Sequence, residues 1–232
     1  KEIQEYELSD YICVPSNFAK QSFIDKGFDE KKIIKIPYGV NLKNFYKIQN
    51  KLDKEKFRII YVGASSVRKG IYYLLRAFTE LNLNNSELLI IGNIEKEIIP
   101  TIKKFKNNNI KFIESQKQNN LNEFYNKGDI FITCSVEEGL SMVQAQAMAC
   151  GLPVICTTNT GGEEIIDDGQ SGFILPIRNI DELKKKIIYF YENREIRDFM
   201  GNNAYKKALN FLSWKNYGRE IIEFYNRIVS CK

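Results

Sequence analysis

The chain has 232 residues, 44% of them hydrophobic and 27% charged, with a net charge of +5 and no histidine. These proportions suit a globular protein with a sizeable core. The missing histidine removes histidine-based triads, histidine general bases and most zinc sites, and no apolar run approaches the about 18 residues of a membrane span.

The charge is scattered over many lysines, with one short run at Lys184-Lys185-Lys186. It reads first as a solvated helix face, with weak attraction to an anionic membrane surface as the alternative. No basic stripe interleaved with aromatics points to nucleic acid. The opening residues, Lys1-Glu-Ile-Gln-Glu5, carry no secretory-signal pattern. The five cysteines are odd in number and form no Cys-x-x-Cys pair. Cys13, Cys134 and Cys156 lie in apolar strands and read as small buried hydrophobes in a reducing compartment. No Asp-x-Asp pair occurs, so no carboxylate-held metal is expected.

Residues 1–8 read as the last turns of a helix. Residues 10–14 read as a strand, Ser16 as the cap of a helix to about Lys26, and residues 32–36 as a second strand before a turn at Pro37-Tyr38-Gly39. Residues 44–56 are polar without apolar period and read as a linker. From residue 58 onward apolar strands alternate with amphipathic helices, the pattern of an α/β fold with a parallel sheet. Strands are expected at 58–63, 88–92, 110–113, 129–134, 153–156 and 172–175, and helices near 71–78, 95–106, 119–127, 142–150 and 180–192. Ile71, Leu74, Leu75 and Phe78 fall on one helix face. Six strands in one doubly wound sheet with helices on both faces make a Rossmann-like architecture. Residues 194–232 read as helical, with Ile221, Phe224, Tyr225 and Ile228 as a stripe that packs onto the domain core in preference to a membrane or a partner. The division expected is therefore 1–43, 44–56, 57–193 and 194–232, the first being the tail of a different domain.

Three loops follow the carboxyl ends of predicted parallel strands, where ligands bind in this architecture. Residues 63–70 carry Arg68 and Lys69 between glycines, cations suited to a diphosphate, although a plain exposed turn fits equally well. Glu138 precedes a helix that Ser141 is placed to cap, with Gln144 completing a capping box. Gly151 is placed to end that helix in the left-handed conformation, and Pro153 blocks its continuation. A helix start suits a phosphate, and the nearby carboxylate suits sugar hydroxyls. Gln146 lies just over a turn inside. Glu138 and Gln146 could bracket a nucleotide sugar, or be a surface loop and a solvated helix face. Thr160-Gly-Gly-Glu-Glu164 again offers glycines before a short helix, although in isolation an ordinary loop fits it better.

The segment Glu138-Gly-Leu-Ser-Met-Val-Gln-Ala-Gln-Ala-Met-Ala-Cys-Gly-Leu-Pro-Val154 resembles the hallmark of the family 4 glycosyltransferases, the group 1 glycosyl transferases of GT-B fold. Val14-Pro-Ser16, Ile36-Pro-Tyr-Gly-Val-Asn41, Val62-Gly63, Arg68-Lys-Gly70 and Asp168-Gly-Gln-Ser-Gly-Phe173 match in the family's order. The resemblance implies the C-terminal, donor-binding half of a two-domain enzyme, with only the last elements of the acceptor domain. It implies metal-independent, retaining transfer of a hexosyl group from a UDP- or GDP-linked sugar to a glycan or lipid-linked acceptor in polysaccharide biosynthesis. No cofactor beyond the donor is implied. The expected setting is cytoplasmic, with peripheral contact at the inner membrane face as a further option. This chain alone should bind donor but transfer poorly.

By the same resemblance, Lys69 meets the donor diphosphate and Glu138 the donor sugar. Gly139, Leu140 and Ser141 receive the distal phosphate, with Met142, Gly63 and Ala64 lining the same site. Gln146 stands where the family has a glutamate on the ribose hydroxyls, and Ala64 stands where it often has arginine, a charge Arg68 could supply. These departures motivate the alternative of a non-catalytic nucleotide-sugar-binding or scaffolding module. A dinucleotide-dependent oxidoreductase is disfavoured, because the glycine fingerprint is absent and Gly92-Asn93-Ile94 follows the second strand in place of an acidic residue.

Overall fold

The computed structural model describes residues 2–48 and 56–230. Two sheets organise it. The smaller holds β1 (Ile12–Val14) and β2 (Ile33–Lys35), paired parallel. Helix α1 (Glu2–Leu8) precedes β1, and α2 (Asn17–Ile24) connects the two strands. Ile12, Val14 and Ile33 form a small core with Phe23, Ile24 and Phe28 of the connecting segment. Ser16 caps α2 as its sequence predicts, its Oγ accepting from the Ala19 N–H at 3.1 Å.

The larger sheet has six parallel strands: β3 (Phe57–Val62), β4 (Ser86–Ile91), β5 (Ile110–Ile113), β6 (Ile130–Ile132), β7 (Val154–Thr157) and β8 (Gly172–Leu175). Their spatial order is β5-β4-β3-β6-β7-β8. Central strands are apolar on both faces because helices cover both. Ile59, Ile60 and Tyr61 of β3 are essentially inaccessible. On one side lie α3 (Ile71–Leu81) and α7 (Ile180–Glu192), which share a core with β3, β4 and β6. The predicted face of α3, Ile71, Leu74, Leu75 and Phe78, is wholly buried, each side chain contributing about 1.5–3 kcal/mol of transfer free energy. The other side carries α5 (Gln118–Lys127), α6 (Met142–Ala149) and α8 (Arg194–Phe211).

The chain order reverses between β3 and β6. Adjacent strands there send their connections to opposite sides, which opens a crevice at their carboxyl ends. Residues 63–70 and 133–141 line that crevice.

Several expectations need correction. The helix expected at 95–106 is a 3-10 turn, Lys96–Ile98, followed by a short α4 (Ile99–Lys104). Pro37–Gly39 makes no turn but leads to a bridge between Val40 and Ser213, with the Val40 N–H donating to Leu212 O at 2.6 Å. Within 44–56, residues 49–55 lie outside the described residues, and 44–48 is a packed strap. Phe45 is buried against Tyr125, while the Tyr46 and Ile48 N–H groups donate to Asn122 Oδ1 and Asn126 Oδ1. A single large aromatic anchors this strap, so no periodicity reveals it. Cys13 is exposed, since it occupies the outward position of β1; Cys134 and Cys156 are buried as expected.

The last helix, α9 (Trp214–Ser230), does not bury its stripe in the larger domain. Phe224 is the buried residue, and its ring meets Tyr11 edge-on at 5.2 Å; Tyr225 is exposed. The helix thus returns to the segment beside β1. Among the described residues no helix is long and apolar enough to cross a membrane.

Candidate functional site

The loop after β3 and the loop after β6 meet in the crevice. Lys69 Nζ lies 2.5 Å from Glu138 Oε1, and each side chain is 19% exposed. Ser135 Oγ donates to the other carboxylate oxygen at 3.2 Å. Glu138 is therefore held at both oxygens, and its backbone N–H donates to Asn159 O at 2.8 Å. Asn159 Nδ2 in turn donates to Val136 O, tying the loop after β7 to the loop after β6.

Two glycines make this convergence possible. Gly70 precedes α3 at φ +66°, and a Cβ there would lie 1.8 Å from the Cys134 carbonyl oxygen. Only glycine lets the Lys69 loop come down onto the end of β6. Gly161, at φ +67°, would place a Cβ 2.5 Å from Gly139 O. It lets the loop after β7 close against the start of α6.

Arg68 lies on the same loop, with its Nη1 donating to Glu137 O at 2.9 Å. It is anchored to the neighbouring backbone and not to Glu138. Gly63 leaves β3 at φ +143°, and Ala64 presents its carbonyl to the Tyr61 hydroxyl at 2.8 Å. Burial, Cys134 and Glu138 raise the Tyr61 phenol above its ordinary range, so it stays a neutral donor. Burial, followed by the neighbouring Cys156, pushes the Cys134 thiol up to about 12. It is inert as a nucleophile at neutral pH.

Ser141 stands at the N-cap of α6 without a side-chain cap bond. The expected capping box does not form: Gln144 turns away and donates through Nε2 to Thr160 O at 3.3 Å, while the Ser141 N–H donates to the same carbonyl. Full burial of Gln144 beneath the loop after β7 draws its amide there. Among the described residues, no hydrogen bond occupies the N–H groups of Gly139, Leu140 and Met142. Such donors at a helix start, with the partial positive charge of the helix, suit a phosphate. Gly151 ends the helix at φ +77°, as predicted.

Gln146 is not on a solvated face. It is 6% exposed, and its Oε1 accepts from the Tyr125 hydroxyl at 2.9 Å. Tyr125 was not foreshadowed, since it sits on a different helix and nothing in its own segment marks it. Ser135 stands three residues before Glu138 at the strand end, a spacing that could have revealed it.

Segment 15–17 of the smaller unit closes over the site. Ser16 Oγ donates to Gly139 O, and the Asn17 N–H donates to Glu164 Oε1 at 2.7 Å. Lys35 Nζ reaches Glu164 Oε2 at 2.6 Å. Among the described residues no cluster of three histidine, cysteine or carboxylate side chains could hold a metal ion.

Residues 43–207 match the family described as glycosyl transferases group 1. The chain belongs to this family. Curated relatives include an uncharacterized glycosyltransferase of Methanocaldococcus jannaschii, 26% identical over 97% of this chain and 60% of its own length. Another is the capsular polysaccharide biosynthesis glycosyltransferase CapM of Staphylococcus aureus, 28% identical over 92% and 58%. The chain thus spans between about half and three fifths of the length of the curated relatives it matches. Among solved structures, Anabaena HepE in complex with UDP and glucose superposes with a TM-score of 0.84 at 18% identity, over 94% of this chain and 64% of that one. The C-terminal domain of LpcC from Francisella tularensis, a glycosyl transferase group 1 protein, superposes with a TM-score of 0.69 at 19% identity, over 75% of this chain and 99% of that one. At such identities the likeness is one of fold. The six-stranded sheet is that of a GT-B C-terminal domain.

Proposed function

We propose that this group 1 glycosyl transferase chain is the donor-binding half of a retaining, metal-independent hexosyltransferase that uses a nucleoside-diphosphate sugar. Residues 57–193 would be the donor domain, residues 1–43 the end of an acceptor domain joined by 44–56, and 194–232 the C-terminal helices, of which α9 returns to the segment beside β1. The observation that carries the reading is the meeting of Lys69 and Glu138 at the sheet's switch point, beside the unoccupied N–H groups of Gly139 and Leu140. UDP and glucose in the HepE complex and capsular polysaccharide synthesis by CapM support a UDP-linked hexose and a glycan or lipid-linked acceptor.

In this reading Lys69 exchanges its bond to Glu138 for one to the donor diphosphate. Glu138, still held by Ser135, takes a sugar hydroxyl. Gly63, Ala64, Leu140, Ser141 and Met142 line the phosphate path, and Gln146 meets the ribose. As the glycosidic bond breaks, negative charge grows on the leaving diphosphate. Lys69, the charge of Arg68 and the start of α6 stabilise that charge more than the ground state, which is what accelerates the step. The chain by itself transfers slowly, because the acceptor and the exclusion of water come from the opposite face of the cleft. The whole enzyme would work on the cytoplasmic side, at the membrane surface where its acceptor is lipid-linked.

Titration calorimetry with UDP, GDP and ADP tests the reading. Saturable binding of one of them is expected, and no binding at millimolar concentration by folded protein would refute it. The buried, amide-bearing Gln146 favours a second reading, a binding module without turnover. Donor hydrolysis or transfer by the longer protein that disappears in Lys69→Ala would exclude it.

A further inference from the structure

We infer that Tyr125 is a positioning residue that holds the Gln146 oxygen toward the core, so that Gln146 presents its Nε2, a hydrogen-bond donor, to the donor ribose. This rests on the reading of Gln146 as the ribose contact. A carboxylate at that position would have two acceptor oxygens, enough for a tyrosine and a ribose hydroxyl together. An amide has one oxygen and one NH2 group, so the end that faces the tyrosine decides which end faces the ribose.

Tyr125 takes it from a rigid position. Its ring is fully buried, with the Phe45 and Phe131 ring centroids each 5.8 Å away. Its helix is pinned by the strap at 46–48 through Asn122 and Asn126, and the Cys150 thiol also donates to Asn122 Oδ1 at 3.2 Å. The hydroxyl has one proton and two acceptors within reach, Gln146 Oε1 at 2.9 Å and Val143 O at 3.5 Å. The nearer wins, because 3.5 Å is at the limit of an O–H···O bond. Burial, with Cys150 adding to it, holds the phenol well above its ordinary pKa, so the proton stays on the tyrosine. A flip of the amide would turn NH2 toward the Tyr125 hydroxyl, which could accept from it but would have only Val143 O, at 3.5 Å, for its own proton. The orientation with Oε1 on the tyrosine is therefore the better satisfied one, and it leaves Nε2 to donate to ribose hydroxyls.

The test compares UDP with 2′,3′-dideoxy-UDP in the wild type, Tyr125→Phe and Gln146→Ala. The wild type should prefer UDP by about tenfold, the range of one net hydrogen bond. Tyr125→Phe should cut that preference to about twofold or less while leaving affinity for the dideoxy compound unchanged. A purely structural role for Tyr125 would weaken both ligands equally, and that result would overturn the inference. If Gln146→Ala retains the preference, the ribose reading itself fails; if Gln146→Ala loses it and Tyr125→Phe does not, only the positioning role fails.

A second variant keeps the inference testable should Tyr125→Phe not fold. Fluorine in place of a ribose hydroxyl can accept weakly but cannot donate. In Gln146→Glu the side chain becomes an acceptor. The worse-bound of the 2′- and 3′-fluoro analogues of UDP should then lose at least about tenfold relative to UDP, against about threefold in the wild type. An equal penalty in the two proteins would overturn the assignment of Gln146 as the donor.

Discussion

Lys69 and Glu138 come from loops 69 residues apart and form an ion pair at 2.5 Å where the strand order reverses between β3 and β6. The pair joins the two halves of the crevice, and each partner is also a proposed ligand group. Removing the lysine therefore takes away a diphosphate contact and releases the carboxylate. Lys69→Ala should weaken UDP binding by at least about tenfold, the scale of one charge-assisted hydrogen bond. Calorimetry at fixed ionic strength measures this, and unchanged affinity would remove Lys69 from the site.

Gly70→Ala should destabilise the domain by at least about 2 kcal/mol, from a left-handed alanine and a clash with the end of β6. The Cβ would stand 1.8 Å from Cys134 O, a backbone atom that cannot swing aside. A fall in the urea midpoint is expected. A midpoint within error of wild type would mean that the loop after β3 has another way to lie.

Glu164 holds the smaller unit to the larger one, through the Asn17 N–H and Lys35 Nζ. Its side chain is 7% exposed, so the bonds it makes are sheltered from water. Glu164→Ala should raise amide hydrogen exchange across 12–36 by at least about tenfold, the effect of losing a charge-assisted bond. Exchange in β3, β4 and β6 should stay as it was. Equal loss of protection in both units would show that they unfold together.

Burial pushes the Cys134 and Cys156 thiols up to about 12 from an ordinary value near 9. The folded chain keeps protons that the unfolded chain releases. Their contribution is intact below pH 9 and is lost as pH rises toward 12. Each thiol accounts for up to about 1.4 kcal/mol per pH unit within that window. Urea denaturation at about pH 8.5 and about pH 10.5 should show a smaller drop in a Cys134→Ala/Cys156→Ala variant than in wild type. Equal drops would mean that the thiols titrate alike in both states.

The order of strands and helices was legible because burial on two faces writes continuous apolar runs, and burial on one face writes the 71-74-75-78 spacing of α3. Family resemblance, more than local chemistry, singled out Glu138 and Lys69; the structure then brought them together. What escaped the sequence were contacts made by single side chains across long separations. Phe45 has no apolar period around it, Tyr125 reaches Gln146 from another helix, and Ser16 reaches Gly139 from another unit. The capping box at Ser141 and Gln144 failed for the same reason, because a distant carbonyl, Thr160 O, took the glutamine. The stripe of α9 was a true pattern assigned to the wrong partner, since periodicity gives the buried face but not what covers it.

The central claim is that the crevice between β3 and β6 binds a nucleoside-diphosphate sugar without a metal ion. Titration of UDP-glucose into the wild-type chain and Lys69→Ala, with a chelator present throughout, tests it most directly. The account predicts saturable binding to wild type under chelation and a loss of at least about tenfold in the variant. Binding that needs an added divalent cation, or that is equal in the two proteins, would contradict it.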